Sequence, residues 1–188
     1  MLIAGTTDME DVIAIGSAPG GEQRHLSLRP EREGDEAFRF QLFCESRPAE
    51  FALLQLEPAV LDQLMRFQFQ AQTMTYRTNF PAARFDIIEL DGVPIGRIVV
   101  ARRGTTLRIV DQAIVPSQRN RGSGTAIMRA VMDRAAQAGQ TVRLKVASTN
   151  DPSMRLYLRL GFVPIETDPF YIEMEWPAGA SPPATPGR

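Results

Sequence analysis

A short glycine- and arginine-containing segment, placed between a strand-like run and a helix-like run, constrains the fold of this chain most. It reads Arg-Asn-Arg-Gly-Ser-Gly over residues 119–124, after the apolar run 107–116 and before the helix-like run 125–138. The first N–H groups of a helix have no partner within the helix, and the helix dipole is positive at that end. Glycines let the backbone approach a ligand closely, and arginines add positive charge. The segment therefore predicts an anion site suited to a phosphate group.

The type of glycine-rich loop follows from its spacing. No Gly-Lys-Ser/Thr follows the segment, so the P-loop pattern fails. The dinucleotide pattern fails because a third glycine would be needed at Ile127. The spacing that fits is Arg119-x-x-Gly122-x-Gly124. It resembles the pyrophosphate loop of the GNAT superfamily of acetyl-CoA-dependent N-acetyltransferases.

A second block extends this resemblance. Residues 150–162 read Asn-Asp-Pro-Ser-Met-Arg-Leu-Tyr-Leu-Arg-Leu-Gly-Phe, which is similar to the Asn-x-x-(small)-x-x-Leu-Tyr-x-x-x-Gly-Phe helix of that superfamily. Both motifs occur in order, with room for one helix and one strand between them. The resemblance covers residues 25–176 and implies an α/β fold, with a mixed central sheet of about seven strands and helices on both faces.

Composition excludes several other classes of protein. A net charge of −1 gives no nucleic-acid footprint, and no apolar run is long enough to span a membrane. Cys44 and His25 are the single cysteine and histidine, which excludes an internal disulfide and a multi-cysteine zinc site. The N-terminus lacks the pattern of a signal peptide. We therefore expect a cytoplasmic protein without a metal.

The chain is expected to form one domain between two tails. Residues 1–23 are predicted to be a flexible tail, or alternatively an arm that packs on a neighbouring subunit. Residues 24–176 form the predicted acetyltransferase domain. Residues 177–188 are rich in Pro, Ala, Gly and Ser and are predicted to be disordered.

Periodicity and turn residues predict the elements of this domain. The expected strands are 25–29, 84–90, 93–101, 107–115, 141–147, 162–165 and 171–176. The expected helices are 33–45, 58–77, 125–138 and one capped by Asn150 that ends before Gly161. This order is that of the GNAT fold.

The predicted second helix has two apolar stripes, although one is enough to dock a helix on a sheet. One stripe contains Val60, Leu64, Phe67, Ala71 and Met74, and the other contains Leu61, Met65, Phe69 and Tyr76. The extra stripe is expected to line the acceptor pocket or to form a homodimer contact. The alternative is a helix buried on both sides by the loop 46–57.

The resemblance implies that acetyl-CoA is the co-substrate and that no metal is needed. The pyrophosphate would lie on the loop and helix start, and the pantetheine arm would pair with the backbone at the end of the preceding strand. Asn150 would contact the CoA arm, and it is equally suited to a plain helix cap. The cofactor-binding residues implied are Ala113, Ile114, Val115, Arg119, Asn120, Arg121, Gly122, Ser123, Gly124, Thr125, Asn150 and Tyr157.

Two residues are candidates for the proton transfers of catalysis. Tyr157 matches the tyrosine that lies near the CoA sulfur in the superfamily, where a phenol can protonate the departing thiolate. The alternative is a core tyrosine on a helix face shared with Leu156 and Leu160.

Asp111 is the candidate that holds the substrate ammonium or relays its proton, because Lys145 stands where some members have a glutamate base. Period two places Asp111 on one face with the apolar residues Leu107, Ile109, Ala113 and Val115, unless a bulge shifts it. The alternative is a structural aspartate paired with an arginine.

The function expected is transfer of an acetyl group to a primary amine, on a small molecule or a protein, by direct attack in a ternary complex. Glu173 is a further acceptor-site candidate, although a solvated position is the simpler interpretation. Cys44 has no histidine partner nearby in sequence, which disfavours an acetyl-cysteine route. The alternative function is a non-catalytic module that binds CoA as a regulatory ligand or pairs with a partner protein.

Overall fold

An eight-stranded mixed sheet forms the centre of the protein. The computed structural model describes residues 12–14, 24–47 and 55–180. The strands lie in the order β1-β2-β3-β4-β5-β6-β8-β7. The β5–β6 pair is parallel, and the other neighbouring pairs are antiparallel. The strands are β1 (Val12–Ala14), β2 (His25–Pro30), β3 (Arg84–Leu90), β4 (Val93–Arg103), β5 (Thr106–Ile114), β6 (Thr141–Ala147), β7 (Val163–Thr167) and β8 (Tyr171–Trp176).

Four α-helices flank the sheet in the described part of the chain. They are α1 (Glu36–Glu45), α2 (Pro58–Asn79), α3 (Ser123–Gln137) and α4 (Asp151–Arg159). A proline begins α2, where its missing N–H costs no hydrogen bond. Gly139 follows α3 with φ of +61°, a conformation that ends a helix readily. None of the described helices combines the length and apolar character needed to cross a membrane.

The two faces of the sheet bury different apolar clusters. The larger cluster contains Ile127 and Met128 of α3, Leu160 and Phe162 after α4, and Trp176 of β8, all nearly inaccessible. A smaller cluster joins α1 and α2 on the other face, where the rings of Phe40 and Phe43 each contact Phe69 edge-on. Burial of such side chains is the main stabilising contribution to the fold.

The predicted fold class is confirmed, with one strand more than expected. The additional strand, β1, pairs with β2 and lies inside the predicted tail of residues 1–23. The rest of that tail lies outside the described residues, as do residues 181–188 of the predicted C-terminal tail. Residues 177–180 form a turn, and Ala180 packs against the larger cluster.

The two apolar stripes of α2 differ in solvent exposure. Met65 and Phe69, from the Leu61 stripe, are buried against α1. In the Val60 stripe, Phe67 is 69% exposed and Met74 is 70% exposed. One stripe therefore anchors the helix and the other faces away from the domain. Residues 48–54 of the loop predicted to cover the helix lie outside the described residues.

Candidate functional site

A gap opens between the two parallel strands at the centre of the sheet. Pairing of β5 with β6 runs from Thr106–Thr141 to Ile109–Leu144 and stops there. Beyond that point β6 continues its pairing with β8, while β5 continues its pairing with β4. The last part of β5 therefore presents an unpaired edge, to which an extended chain can add as a further strand.

A bulge in β5 changes the face on which Asp111 lies. Ile109 pairs with Val100 and Asp111 pairs with Val99, so Val110 has no partner in β4. Residues that pair directly across a ladder point to the same face of the sheet, and Val99 and Val100 point to opposite faces. The period-two placement of Asp111 on the face of Leu107 and Ile109 is therefore wrong, and the alternative that a bulge shifts Asp111 to the other face is confirmed.

Asp111 forms an ion pair with a buried arginine. Arg97 Nε donates to Asp111 Oδ2 over 2.7 Å, and Arg97 Nη2 donates to Gln72 Oε1 of α2 over 2.9 Å. The Arg97 side chain is 7% exposed and that of Asp111 is 21% exposed. The Asp111 carboxylate thus lies on the α2 side of the sheet, partly exposed to solvent. The Arg97 guanidinium balances its charge.

The loop after β5 adopts the backbone geometry of an anion-binding helix start. Gly122 caps α3 with φ of +89°, and its carbonyl accepts the hydrogen bond from Ala126 N over 2.9 Å. Asn120 also has positive φ, at +59°. The next residues, from Ser123 onward, begin the helix, so their N–H groups point outward along the positive end of its dipole.

Gly124 lies in the first turn of α3 against the end of β5. A Cβ at this position would come 3.8 Å from Gln112 Nε2 and 3.9 Å from Ile114 Cγ1, which is ordinary contact. Gln112 Nε2 donates to the Gly124 carbonyl over 3.1 Å. This hydrogen bond fixes the helix start beside the unpaired edge of β5.

Two of the predicted cofactor contacts already have partners within the protein. The N–H of Val115 donates to Ile95 O over 2.9 Å, so it is not available to pair with a pantetheine arm. Because successive N–H groups alternate between the two edges of a strand, the N–H of Ile114 points to the gap instead. Arg119 Nε donates to Ile114 O over 2.9 Å, which ties its guanidinium to the loop, whereas Arg121 is exposed.

Asn150 is the N-cap of α4. Its Oδ1 accepts a hydrogen bond from Ser153 N over 3.2 Å, and the side chain is otherwise exposed. The capping role is confirmed. Contact with a CoA arm stays a prediction.

Two tyrosines near the gap have phenols that resist ionisation. Burial raises the pKa of Tyr157 to about 12, and the negative charge of Asp111 adds to the effect. Burial likewise raises the pKa of Tyr76 to about 12, again with a contribution from Asp111. Tyr157 also packs on Phe162, with 5.8 Å between ring centroids. At neutral pH both phenols are protonated and able to donate.

The other candidate residues are engaged in ion pairs or stay unreactive. Glu173 accepts from both terminal nitrogens of Arg108, at 2.6 and 3.1 Å, which lowers the pKa of its carboxyl group. Lys145 Nζ lies 3.6 Å from Asp168 Oδ2, in the connection between β7 and β8. Burial raises the pKa of the Cys44 thiol, which makes it a poorer nucleophile. The Glu173 carboxylate is therefore paired with Arg108 rather than solvated.

The ion pair agrees with the alternative that Asp111 pairs with an arginine, although sequence reasoning identified neither Arg97 nor Gln72. Arg97 lies between Ile95 and Ile98 in the long apolar strand β4, and a charged residue inside such a run is a signal of a buried ion pair. Gln72 carried no signal, because a glutamine on a helix is ordinary.

No metal centre accompanies these residues within the described ranges. No group of three His, Cys, Asp or Glu side chains there is placed to hold a metal ion. Two cavities, of about 570 and 460 Å³, lie along α1 and α2 and share no residue with the site.

The sequence matches the family model described as the acetyltransferase (GNAT) family over residues 40–162. The chain therefore belongs to the GNAT family of acetyltransferases, as its motifs predicted. No curated protein matches the sequence.

Solved structures of acetyltransferases share the fold at low sequence identity. The PaiA N-acetyltransferase of Thermoplasma acidophilum, in complex with coenzyme A, superposes with a TM-score of 0.61 at 17% identity over 80% of this chain and 97% of its own. An acetyltransferase from Thermus thermophilus gives 0.59 at 19% identity over 81% and 96%. The ribosomal-protein-S18-alanine N-acetyltransferase of Escherichia coli gives 0.55 at 16% identity over 83% and 96%.

Proposed function

We propose that the protein transfers an acetyl group from acetyl-CoA to a primary amine by direct attack in a ternary complex. The observation that carries this proposal is the gap between β5 and β6, which opens beside the N-terminus of α3. An unpaired strand edge suits the amides of a pantetheine arm, and a helix start suits a pyrophosphate. One elongated ligand with both groups would fit along this line.

Tyr157 is the proposed general acid. When the amine attacks the thioester carbonyl, the carbon–sulfur bond breaks and the thiolate needs a proton. The pKa of Tyr157, raised to about 12, keeps its phenol protonated at neutral pH, so that it can donate a hydrogen bond to the sulfur as the thiolate departs. The backbone N–H of Ile114 is the proposed donor to the carbonyl oxygen as negative charge develops there.

Asp111 is the proposed acceptor-side residue. An alkyl ammonium has a pKa of about 10.4 and must lose a proton before it attacks. Asp111 Oδ2 is bonded to Arg97, and its Oδ1 has no protein partner among the described residues. That oxygen would hold the ammonium or pass its proton through water. Residues other than Asp111 and Arg97 would determine whether the acceptor is a small amine or a protein amino group.

Calorimetric titration with acetyl-CoA, with ATP as the control ligand, tests the proposal. Specific binding of acetyl-CoA and not ATP is expected, followed by thiol release on a panel of primary amines. Binding without turnover on any amine would favour a module that senses CoA or serves a partner. If acetyl-CoA does not bind, the loop at the start of α3 is a structural turn.

A further inference from the structure

The end of α1 lies beside the unpaired edge of β5. A single guanidinium joins the two elements: Arg119 Nε donates to Ile114 O over 2.9 Å, and Arg119 Nη2 donates to Glu45 O over 3.5 Å. Ile114 is the last residue of β5 and Glu45 is the last residue of α1. The residues that directly follow α1 are therefore placed next to the gap.

Arg47 extends from this end of α1 and has no carboxylate partner among the described residues. Its backbone N–H donates to Cys44 O over 3.2 Å. Its Cζ lies 4.4 Å from the centre of the Phe43 ring, and Phe43 packs edge-on against Phe69 of α2. Stacking uses the face of a guanidinium, whereas its N–H donors lie around the rim. The Arg47 guanidinium is therefore held over α1 with donors left for a ligand.

The phenol of Tyr76, on α2, lies within range of both the Arg47 and the Asp111 charges. Burial raises its pKa to about 12, the negative charge of Asp111 contributes to this rise, and the positive charges of Arg97 and Arg47 oppose it. The Cζ of Arg97 lies 5.8 Å from the centre of the Tyr76 ring. Charges act strongly only over short distances in salt solution. Arg47 and Asp111 therefore flank one small region on the α2 side of the sheet.

We propose that Arg47 binds a carboxylate of the amine acceptor, so that the acceptor is an amino acid or a similar aminocarboxylic acid. The Arg47 subsite rests on the proposed function, in which Asp111 holds the ammonium. A guanidinium presents a planar fork of donors that matches the two oxygens of a carboxylate. Each charged group of such an acceptor would then contact a group of opposite charge.

The charge of the site also favours an acceptor with a carboxylate over a plain amine. Arg47 and Arg97 carry two positive charges and Asp111 carries one negative charge, which leaves a net charge of +1. An alkylamine binds as an ammonium and adds a further positive charge, as does a lysine side chain of a protein. An amino acid is a zwitterion at neutral pH and adds no net charge. Like charges brought together in a site disfavour the wrong partner.

Thiol release from acetyl-CoA, measured with pairs of acceptors that differ only in the carboxylate, tests the proposal on the full chain. Each standard amino acid, with β-alanine and 4-aminobutyrate, would be compared with its own amide, which keeps the amine and loses the negative charge. For the best acceptor, kcat/KM should be at least about tenfold higher for the acid than for the amide. Equal values would overturn the carboxylate subsite and leave the proposed acetyl transfer intact.

Variants of Arg47 assign the preference to this side chain. Arg47→Gln should raise KM for the amino acid at least about tenfold, with KM for the amide and the dissociation constant for acetyl-CoA unchanged. Arg47→Lys keeps the charge without the fork and should recover part of the loss. Arg66→Gln is the matched control, because Arg66 Cζ lies 4.5 Å from the centre of the Phe40 ring and its ion-pair partner is Asp62. It should behave like the wild type.

An equal rise in KM for acid and amide in Arg47→Gln would mean that Arg47 only supports the fold, and would overturn its role in recognition. Circular dichroism would verify the fold of each variant, and the comparison of acid with amide needs no variant.

Calorimetry separates failure of the Arg47 subsite from failure of the proposed function. If acetyl-CoA binds and no acceptor releases thiol, the proposed transfer fails. The same amino acids would then be titrated into the protein saturated with CoA. Binding that is lost in Arg47→Gln and kept in Arg66→Gln would support the subsite. Absence of binding by every amino acid tested, or binding that survives in Arg47→Gln, would overturn it.

Discussion

At the scale of single residues, the protonation of Tyr157 is the property on which the proposed chemistry depends. Its phenol is half-buried beside Phe162 and close enough to Asp111 for that charge to raise its pKa. Both effects favour the neutral form. The environment therefore keeps the phenol protonated and able to donate a hydrogen bond to the departing thiolate.

Replacing Tyr157 by phenylalanine should lower kcat about a hundredfold, the usual contribution of a positioned general acid. The dissociation constant for acetyl-CoA should not change, since the ring and its packing on Phe162 remain. Steady-state kinetics and calorimetry measure the two quantities. The exposed Tyr171→Phe is the control and should keep full activity. Equal kcat in wild type and Tyr157→Phe would remove Tyr157 from the mechanism.

Alkaline titration should distinguish the buried phenols directly. The chain has three tyrosines, and the pKa of both Tyr76 and Tyr157 is raised to about 12. Ultraviolet difference absorbance should therefore show two phenolates forming near pH 12, and one should vanish in Tyr157→Phe.

The same shifts predict how stability depends on pH. A folded-state pKa above the unfolded value of about 10 means that the folded state holds its proton longer. The stabilisation is complete below pH 10 and is lost as the pH rises toward 12. Denaturant unfolding at a series of alkaline pH values would show this decline, and it should be smaller in Tyr157→Phe. A decline of equal size in both proteins would contradict the assigned pKa of Tyr157.

At the scale of elements, the helix termini beside the gap combine structural and binding roles. Asn150 caps α4 through Ser153 N. Asn150→Ala should reduce the free energy of unfolding by about 1 kcal/mol, the usual value of a cap. Asn150→Ser keeps a capping oxygen and should restore the stability. If the amide also contacts CoA, both variants should bind acetyl-CoA more weakly. Unchanged affinity in both would restrict Asn150 to its cap.

Substitutions at the start of α3 can separate the effect of a side chain's charge on acetyl-CoA binding from the effect of its size. Gly124 has room for a Cβ at ordinary contact distance from Gln112 and Ile114. Gly124→Ala should therefore bind acetyl-CoA nearly as well as the wild type. Gly124→Asp places a negative charge at the helix start and should raise the dissociation constant at least about tenfold. Calorimetry of both variants checks this, and equal affinities would refute the loop as the pyrophosphate site.

The elements were predicted well because turns, caps and glycines mark them locally. The bounds 84–90, 141–147 and 171–176 agree with β3, β6 and β8, and Asn150 was identified as a cap. The period-two face of Asp111 was wrong, and the bulge that shifts it stood only as an alternative, because a bulge depends on how β5 pairs with β4 and no local pattern encodes that pairing. The partners Arg97 and Gln72 depend in the same way on tertiary contacts. The cofactor-binding role of the loop was inferred from the family resemblance, and the contacts of the loop with CoA remain predictions.

At the scale of the whole molecule, ligand binding should stabilise the fold that holds the gap open. A ligand that binds only the folded state at a hundred times its dissociation constant adds about 2.7 kcal/mol to the free energy of unfolding. Acetyl-CoA should therefore raise Tm by several degrees, and ATP at the same concentration should not. A thermal melt followed by circular dichroism measures both. No shift with acetyl-CoA at saturation would contradict the cofactor assignment.

Val110 is the one residue of β5 within its ladder with β4 that has no partner there. This extra residue reverses which side of the sheet the following side chains face. Before it, Leu107 and Ile109 point into the larger apolar cluster; after it, Asp111 points to Arg97 on the opposite side of the sheet. With one residue fewer, the same sequence would bury this carboxylate in hydrocarbon and leave Arg97 without its counterion. Deletion of Val110 would thus turn every later side chain of β5 to the opposite face of the sheet. The chemistry of the site therefore depends on a residue whose own side chain takes no part in it.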